Sequence, residues 1–460
     1  MTASLHPARV QPLHREEPGH ARQASAPAWK VWGGLALLAL WGSVGCRPKK
    51  AVICPGTVQV APMGRASFRG QLTGLAPAGW SWSVQEFAGG TVDQGGTYEA
   101  DREGTFHVVW ANPRYPRLNA CATVKVADLS EVIPSQAQLR KDEPIHRATP
   151  LADGRVLLTG SQYPDGDDAG LYDPALDRYT PLPRTGMSMG GHTATRLRDG
   201  RVLLIGDGRA VLFDPVQQRF SPAGRPLEAR RNHSATLLED GRVLVAGGTC
   251  YDGQGFPASA TLECFDPADG EFHMAGRMLS RRAGHTATLL PDGEILFAGG
   301  FCVYDPARSA LGSAECYNPT SCISTGLEAG MGTVRVQHQA FLLTDGTVLL
   351  LGGLTYPSQA QMADRFDPVT RQFTPTGPMT VARNGFTAIQ TADGRVLVAG
   401  GDADGVERFD PGQGLFTPLP FRLRSARLNG TLAMLPSGHV WLAGGFDPQG
   451  RTVPSCEIIR

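Results

Sequence analysis

The sequence has no surplus of charge: Lys and Arg total 43 of its 460 residues, and so do Asp and Glu. That balance excludes a nucleic-acid or anionic-membrane binder held by bulk charge. Long apolar runs are missing as well. The longest, in KVWGGLALLALWGSVGC (30–46), holds about 15 mostly apolar residues, short of the roughly 20 that a helix needs to cross a bilayer. There is no phosphate-binding glycine loop ending in Gly-Lys, no short C-x2–4-C pair and no H-x3-H spacing, so the common signatures of nucleotide enzymes and zinc proteins are absent.

Glycine (57) and proline (35) are in excess, and strand–turn–strand folds need both. The length exceeds one ordinary core, so two or more domains are expected. Near the N-terminus, one Lys, the apolar run, small residues and then Cys46 have the layout of a secretion signal. Ser-Val-Gly directly before Cys46 resembles the lipobox of bacterial lipoproteins. The resemblance implies that residues 1–46 are a signal and lipobox segment, that Cys46 is lipidated, and that a lipid anchor holds the protein in the bacterial cell envelope. Arg47 is not the Asp that marks inner-membrane retention in the enteric family, which favours the outer membrane. Two features depart from the pattern: Ser43 stands where Leu, Val or Ile is usual, and a polar leader precedes Lys30.

Residues 50–128 show no helical period. Short alternating stretches such as TVQVAP, WSWSV, GTFHVVWAN and CATVKVA suggest a small β-sandwich. WSVQEFAGGTVDQGGTYEADREGTFHVV resembles bacterial immunoglobulin-like modules, which are usually spacers or adhesive units. Cys54 near the start and Cys121 near the end of the segment are expected to form a disulfide between its first and last strands. LSEVIPSQAQ (129–138) reads as a linker.

From residue 139 the chain repeats itself. ATLLEDGRVLVAGG (235–248) returns 52 residues later as ATLLPDGEILFAGG (287–300). Seven copies align on turn pairs whose glycines are Gly154, Gly200, Gly241, Gly293, Gly346, Gly394 and Gly438, from 41 to 53 residues apart. Asp-Gly between alternating apolar runs is a hairpin signal, read here as a type I′ turn. LYDP, LFDP, CFDP, CYNP and RFDP supply a third strand stopped by Pro, and RYTPLP, RFSPAG, EFHMAG, QFTPTG and LFTPLP a fourth. Four antiparallel strands at this period are propeller blades. The di-glycine closing strand two and the aromatics of strands three and four resemble the kelch repeat. Together these readings predict an all-β chain, an immunoglobulin-like sandwich before a seven-bladed kelch-type β-propeller over 139–460. Only six fourth strands follow the repeats, and the last copy reaches SCEIIR at its third strand. The missing strand is expected from around 136–142, pairing the two ends of the ring.

Several slots carry chemistry. His146, His192, His233, His285 and His338 open the first strand in five copies; Phe386 and Thr431 fill the slot in the others. A slot that accepts Phe and Thr reads as packing, not as a metal site. Three residues earlier stand Arg230, Arg282, Arg335 and Arg383, on the face that carries the three longest loops after strand two. An arc of Arg under variable loops is a candidate ligand face for an acidic glycan or a carboxylate. As repeat positions these arginines also fit the bridging of neighbouring blades, common in kelch repeats. Cys250 with Cys264, and Cys302 with Cys316, have the same spacing of 14 and are expected as disulfides pinning the loops; Cys322 and Cys456 are left over, and Cys316–Cys322 is a competing bridge. DGDD (165–168) and DADG (402–405) read as solvated loops.

Among enzymes the resemblance points to the galactose-oxidase type, a copper radical oxidase on a kelch propeller. That family carries a Tyr-His dipeptide, absent here, and takes a last His ligand from a further C-terminal domain. No catalytic residue, metal or cofactor is therefore assigned. The sequence is read as an exported, membrane-anchored propeller that binds protein or glycan through its long-loop face. The alternative is a glycan-acting enzyme like the sialic-acid isomerases that share the kelch propeller.

Overall fold

A computed structural model describes residues 50–54, 57–60, 65–73, 80–85, 90–100, 104–111, 119–126, 128–139, 147–160, 168–250, 255–303, 310–353 and 361–460. The signal segment with Cys46, and His146, lie outside these residues. The described chain is all β, without a helix.

Residues 50–126 build a four-stranded sheet of Thr57–Val60, Asn119–Val126, Gly104–Ala111 and Ser81–Val84, together with smaller two- and three-stranded sheets. Period-two alternation puts Phe106, Val108, Ala122 and Val124 inward, where they meet Phe68 and Tyr98 of the smaller sheets in one core.

The rest forms seven four-stranded sheets in a propeller-like fold. The third sheet shows the pattern: Ser234–Leu237, Val243–Ala246, Thr261–Asp266 and Glu271–Arg277, each antiparallel to the next. Its second strand is buried throughout, as is every other sheet's second strand. Uninterrupted apolar runs such as VLVA are what a strand covered on both faces requires. The covering comes from neighbouring sheets: Leu244, Leu262 and Cys264 of the third share a core with Ile295, Phe297 and Tyr317 of the fourth.

The hairpin turns differ from the expected type. In the third sheet Leu238 N–H bonds Arg242 O (2.8 Å) and Gly241 N–H bonds Leu238 O (3.0 Å). Gly241 alone is left-handed (φ +92°), while Asp240 accepts from the Arg242 N–H through Oδ1 (3.0 Å). This is the wider hairpin with a glycine bulge rather than a type I′ turn, which would need two left-handed residues.

Ring closure was expected around 136–142. The strand instead runs from Val132 to Gln138, so most of the stretch read as a linker (129–138) is strand, antiparallel to Ser455–Ile459 with Val132 opposite Ile459. It completes the sheet of Thr431–Met434, Val440–Ala443 and Ser455–Ile459. Asp177 of the first sheet ties it in: its carboxylate accepts from Ser135 Oγ, from Gln136 N–H (2.6 Å) and from Tyr172 Oη (2.9 Å). Tyr172 in turn stacks on Trp441 of the last sheet, ring centroids 3.9 Å apart.

Removing residues 1–138 frees the edge of Ser455–Ile459 and strips these contacts, so the melting temperature falls by several degrees relative to a chain that starts at 128. Scanning calorimetry of the two truncations checks this; equal melting temperatures contradict the pairing.

Candidate functional site

The four arginines offered as a ligand face are buried, at no more than 1 % exposure, rather than spread over an open surface. Each sits in the connector entering its sheet and turns its guanidinium inward onto that sheet. Arg230 pairs with Glu263, Arg282 with Glu315 and Arg335 with Asp364, each at 2.7 Å, and Arg383 with Glu407 at 2.9 Å. The acid stands on the third strand, its position fixed by the strand's period. One further N–H reaches the carbonyl of the first di-glycine residue, 17 positions on: Gly247, Gly299, Gly352 and Gly400, at 2.8 to 3.1 Å. The main chain of the same arginine faces the preceding sheet, where the second glycine donates to it: Gly248 to Arg282, Gly300 to Arg335 and Gly401 to Arg427. The residue thus joins two sheets, main chain to one and side chain to the other. Both glycines are close-packed in the third sheet, although Asp207 (φ +47°) fills the second place in the second sheet, its N–H donating to Arg230 O (3.2 Å). At Gly247 (φ +60°) a Cβ would lie 2.2 Å from Arg282 O, and at Gly248 (φ +91°) 2.9 Å from His233 Cβ.

A fifth member escaped the repeat alignment. Arg427 pairs with Glu457 and donates to Ser455 O (2.8 Å). It stands four residues before Thr431 rather than three, because the connector carries one more residue. The signal available in the sequence was its constant distance of 17 to Gly444, the distance that the other four keep to their glycines.

The histidines also link sheets. Nε2 of His192, His233, His285 and His338 hydrogen-bonds Thr159, Thr193, Ser234 and Thr286 of the preceding sheet, at 2.8 to 3.0 Å. Burial first, and then the nearby arginine charges, pull His233 and His338 down to about 3, and His285 well below the usual imidazole value. They are neutral at physiological pH and already engaged at Nε2.

Two expected disulfides are absent. Cys250 and Cys264 carry free thiols, as does Cys316, the expected partner of Cys302 and the competing partner of Cys322. The hairpin geometry explains it. Cys264 and Cys316 sit within their third strands, opposite Leu244 and Leu296, whereas Cys250 and Cys302 lie beyond the ends of the second strands at Ala246 and Ala298, past the di-glycine. Equal spacing of 14 marked a repeat register, not a bridge. Cys264 and Cys316 lie in the cores between sheets, and burial pushes each thiol up to about 11. Cys121 is exposed on its strand, and the side chain of Cys54 lies outside the described residues.

Two sequence features need placing. Gly186-Met187-Ser188-Met189-Gly190 matches G-x-S-x-G, but it lies in the connector between the first two sheets and no helix follows, so it is not a nucleophile elbow. In the 402–405 run, Asp402 accepts from the Asn384 N–H (3.3 Å) and Asp404 pairs with Arg422 (2.9 Å).

The concave feature is an axial cavity of about 1430 Å³, lined by the first strands of the sheets and by the connectors entering them. Near the end of six connectors, just before the first strand, a residue is left-handed, and main-chain hydrogen bonds run between such residues from sheet to sheet. Asn232 donates to Gly191, Gly284 to Asn232 and Gln337 to Gly284, all at 2.9 Å, and Asn429 to Gly385 at 2.6 Å. Residues of the loops after the second strands, Phe256 and Phe446 among them, line the same cavity, which therefore opens on the long-loop face. Its described lining holds hydroxyls, carboxamides, the neutral histidines and three arginines, with no Asp or Glu.

No protein-family model matches the sequence, and no curated protein matches it. Among solved structures the chain resembles a fungal alcohol oxidase of the AA5 family in complex with copper, with TM-score 0.58 and 16 % identity over 72 % of this chain and 76 % of that one. It also resembles the structure of YjhT, with TM-score 0.48 and 12 % identity over 60 % of this chain and 95 % of that one. The likeness to the oxidase shows the fold, a kelch-like β-propeller. The donors do not fit copper: the lining histidines bind hydroxyls through Nε2, and among the described residues no three His, Cys, Asp or Glu side chains converge.

The depressed histidines make stability depend on pH. Their folded values lie below the unfolded value of about 6.5, so their contribution is complete above that pH and declines towards about pH 3 as the unfolded chain alone takes up protons. Urea midpoints should fall from pH 7 to pH 4.5, and His338→Phe, the residue type at position 386, should reduce the fall. An identical pH slope in the variant contradicts neutral burial.

Proposed function

We propose that the protein is an exported binding propeller. Its seven sheets are the blades of a ring closed by Val132–Gln138, carried on an immunoglobulin-like module and anchored to the cell envelope through lipidated Cys46. The ring receives a protein or glycan on the face where the axial cavity opens. The observation that carries the binding reading is the character of that cavity. Its hydroxyls and amides can hydrogen-bond a ligand, and its histidines are neutral and engaged between blades. A glycan-acting enzyme needs a converging acid and base. The described lining offers neither a carboxylate nor an imidazole with a free Nε2. A broad polar cavity with aromatics at its rim suits recognition.

Blades three to five carry the longest loops on this face, and long loops on a rigid scaffold are where propellers place recognition. Shortening 251–259 and 303–312 should abolish capture of the partner found by glycan array or from cell-envelope extract, whereas trimming 402–405 should leave it intact. Loss in the second variant with retention in the first contradicts the assignment.

A further inference from the structure

The cavity contains one guanidinium that no described carboxylate neutralises. Of its three lining arginines, Arg231 pairs with Asp207 (2.7 Å) and Arg383 with Glu407 (2.9 Å). Arg147, at the start of the first blade's inner strand, donates from Nε to the carbonyl of His192 (3.4 Å) and has no ion pair among the described residues. It is open to water in the lumen yet surrounded by protein, and this desolvation lowers its pKa from the ordinary guanidinium value.

Beside it the ring of left-handed residues alternates between glycine and carboxamide: Gly191, Asn232, Gly284, Gln337, Gly385, Asn429. The amides of Asn232 and Asn429 lean over the glycine before them, and Gln337 passes its Cγ over Gly284. A Cβ on Gly191 would lie 2.6 Å from Asn232 Oδ1, and one on Gly385 3.0 Å from Asn429 Oδ1. The alternation thus makes room for three amide side chains around the lumen. Asn tolerates a left-handed backbone, but Gln does so rarely, and Gln337 holds φ +54°. Strain of this kind is a mark of functional sites. None of the three amide heads has a hydrogen-bond partner among the described residues. Phe256, 42 % exposed, adds an apolar surface to the lining.

We propose that the axial cavity binds a small hydroxylated carboxylate of the sugar-acid class, its carboxylate on Arg147 and its hydroxyls on the amides of Asn232, Gln337 and Asn429. A guanidinium matches a carboxylate with two parallel N–H donors, and a carboxamide offers donor and acceptor together, as a hydroxyl does. The cavity exceeds the roughly 300–1,000 Å³ of common small-molecule sites, so it can also hold the acid as the end residue of a longer chain.

This rests on the binding reading above, and the test separates the two. Titration calorimetry on the full chain uses glucuronate, galacturonate and gluconate, with glucose as the neutral control. An acid should bind where glucose does not. Arg147→Met should weaken it by about tenfold to a hundredfold, the range expected for a charge-assisted contact, with an unchanged melting temperature. Gln337→Ala, which keeps the charge, should weaken it by a smaller factor. Glucose binding as tightly as the acids, an Arg147→Met variant that binds like the parent, or no heat from any acid at millimolar concentration overturns the proposal. Any of these leaves loop-dependent capture of a larger partner standing, whereas loss of that capture alone leaves the cavity site standing.

Discussion

The fold depends on a buried ion pair repeated from sheet to sheet. An arginine at the end of each connector entering the third to seventh four-stranded sheets meets a carboxylate on that sheet's third strand, both nearly free of solvent. Removing two charges from water costs several kcal/mol each, and further hydrogen bonds on both partners offset part of that cost, although Nε of Arg230 and of Arg427 has none among the described residues. Here the glycine carbonyl takes a guanidinium N–H, and the carboxylate also accepts connector amides such as Leu279 N–H at 2.6 Å. Removing either partner strands a buried charge.

That pair explains features which would otherwise look unrelated. The di-glycine exists because an arginine carbonyl presses against one residue and the first-strand histidine against the next. The histidine is buried beside a cation and stays neutral, which suits it to bond a hydroxyl of the preceding blade. Arginine, acid, glycines and histidine form one joint between blades. With these groups committed to the joints, the binding function proposed above is left to positions where the repeat is broken: the long loops, Arg147, and the amides that alternate with glycine along the cavity.

This division also marks what the sequence could disclose. The strands were legible because Asp-Gly, di-glycine and Pro after the third strand each report a local backbone requirement. The closing strand was placed a few residues late, since Val132–Gln138 belongs to no repeat and is recognisable only by its partner. The arginines were misread as a ligand face because exposure depends on the distant third-strand acid, although the constant spacing to the glycine was present in the chain. The cysteines misled for a related reason: a shared register looks like a pair until the hairpin separates its members. The cavity amides went unnoticed because glycine and amide alternate from sheet to sheet, which looks like variation until the main-chain hydrogen bonds join them in space.

The most direct test of the central claim is a double-mutant cycle on Arg282 and Glu315, followed by urea unfolding. If the joint is a true buried pair, Arg282→Met and Glu315→Gln should each cost about 3–5 kcal/mol. The double variant should recover about 1–3 kcal/mol of their sum, the coupling expected of residues in one buried network. Single losses below about 1 kcal/mol, or losses that simply add, would contradict the account.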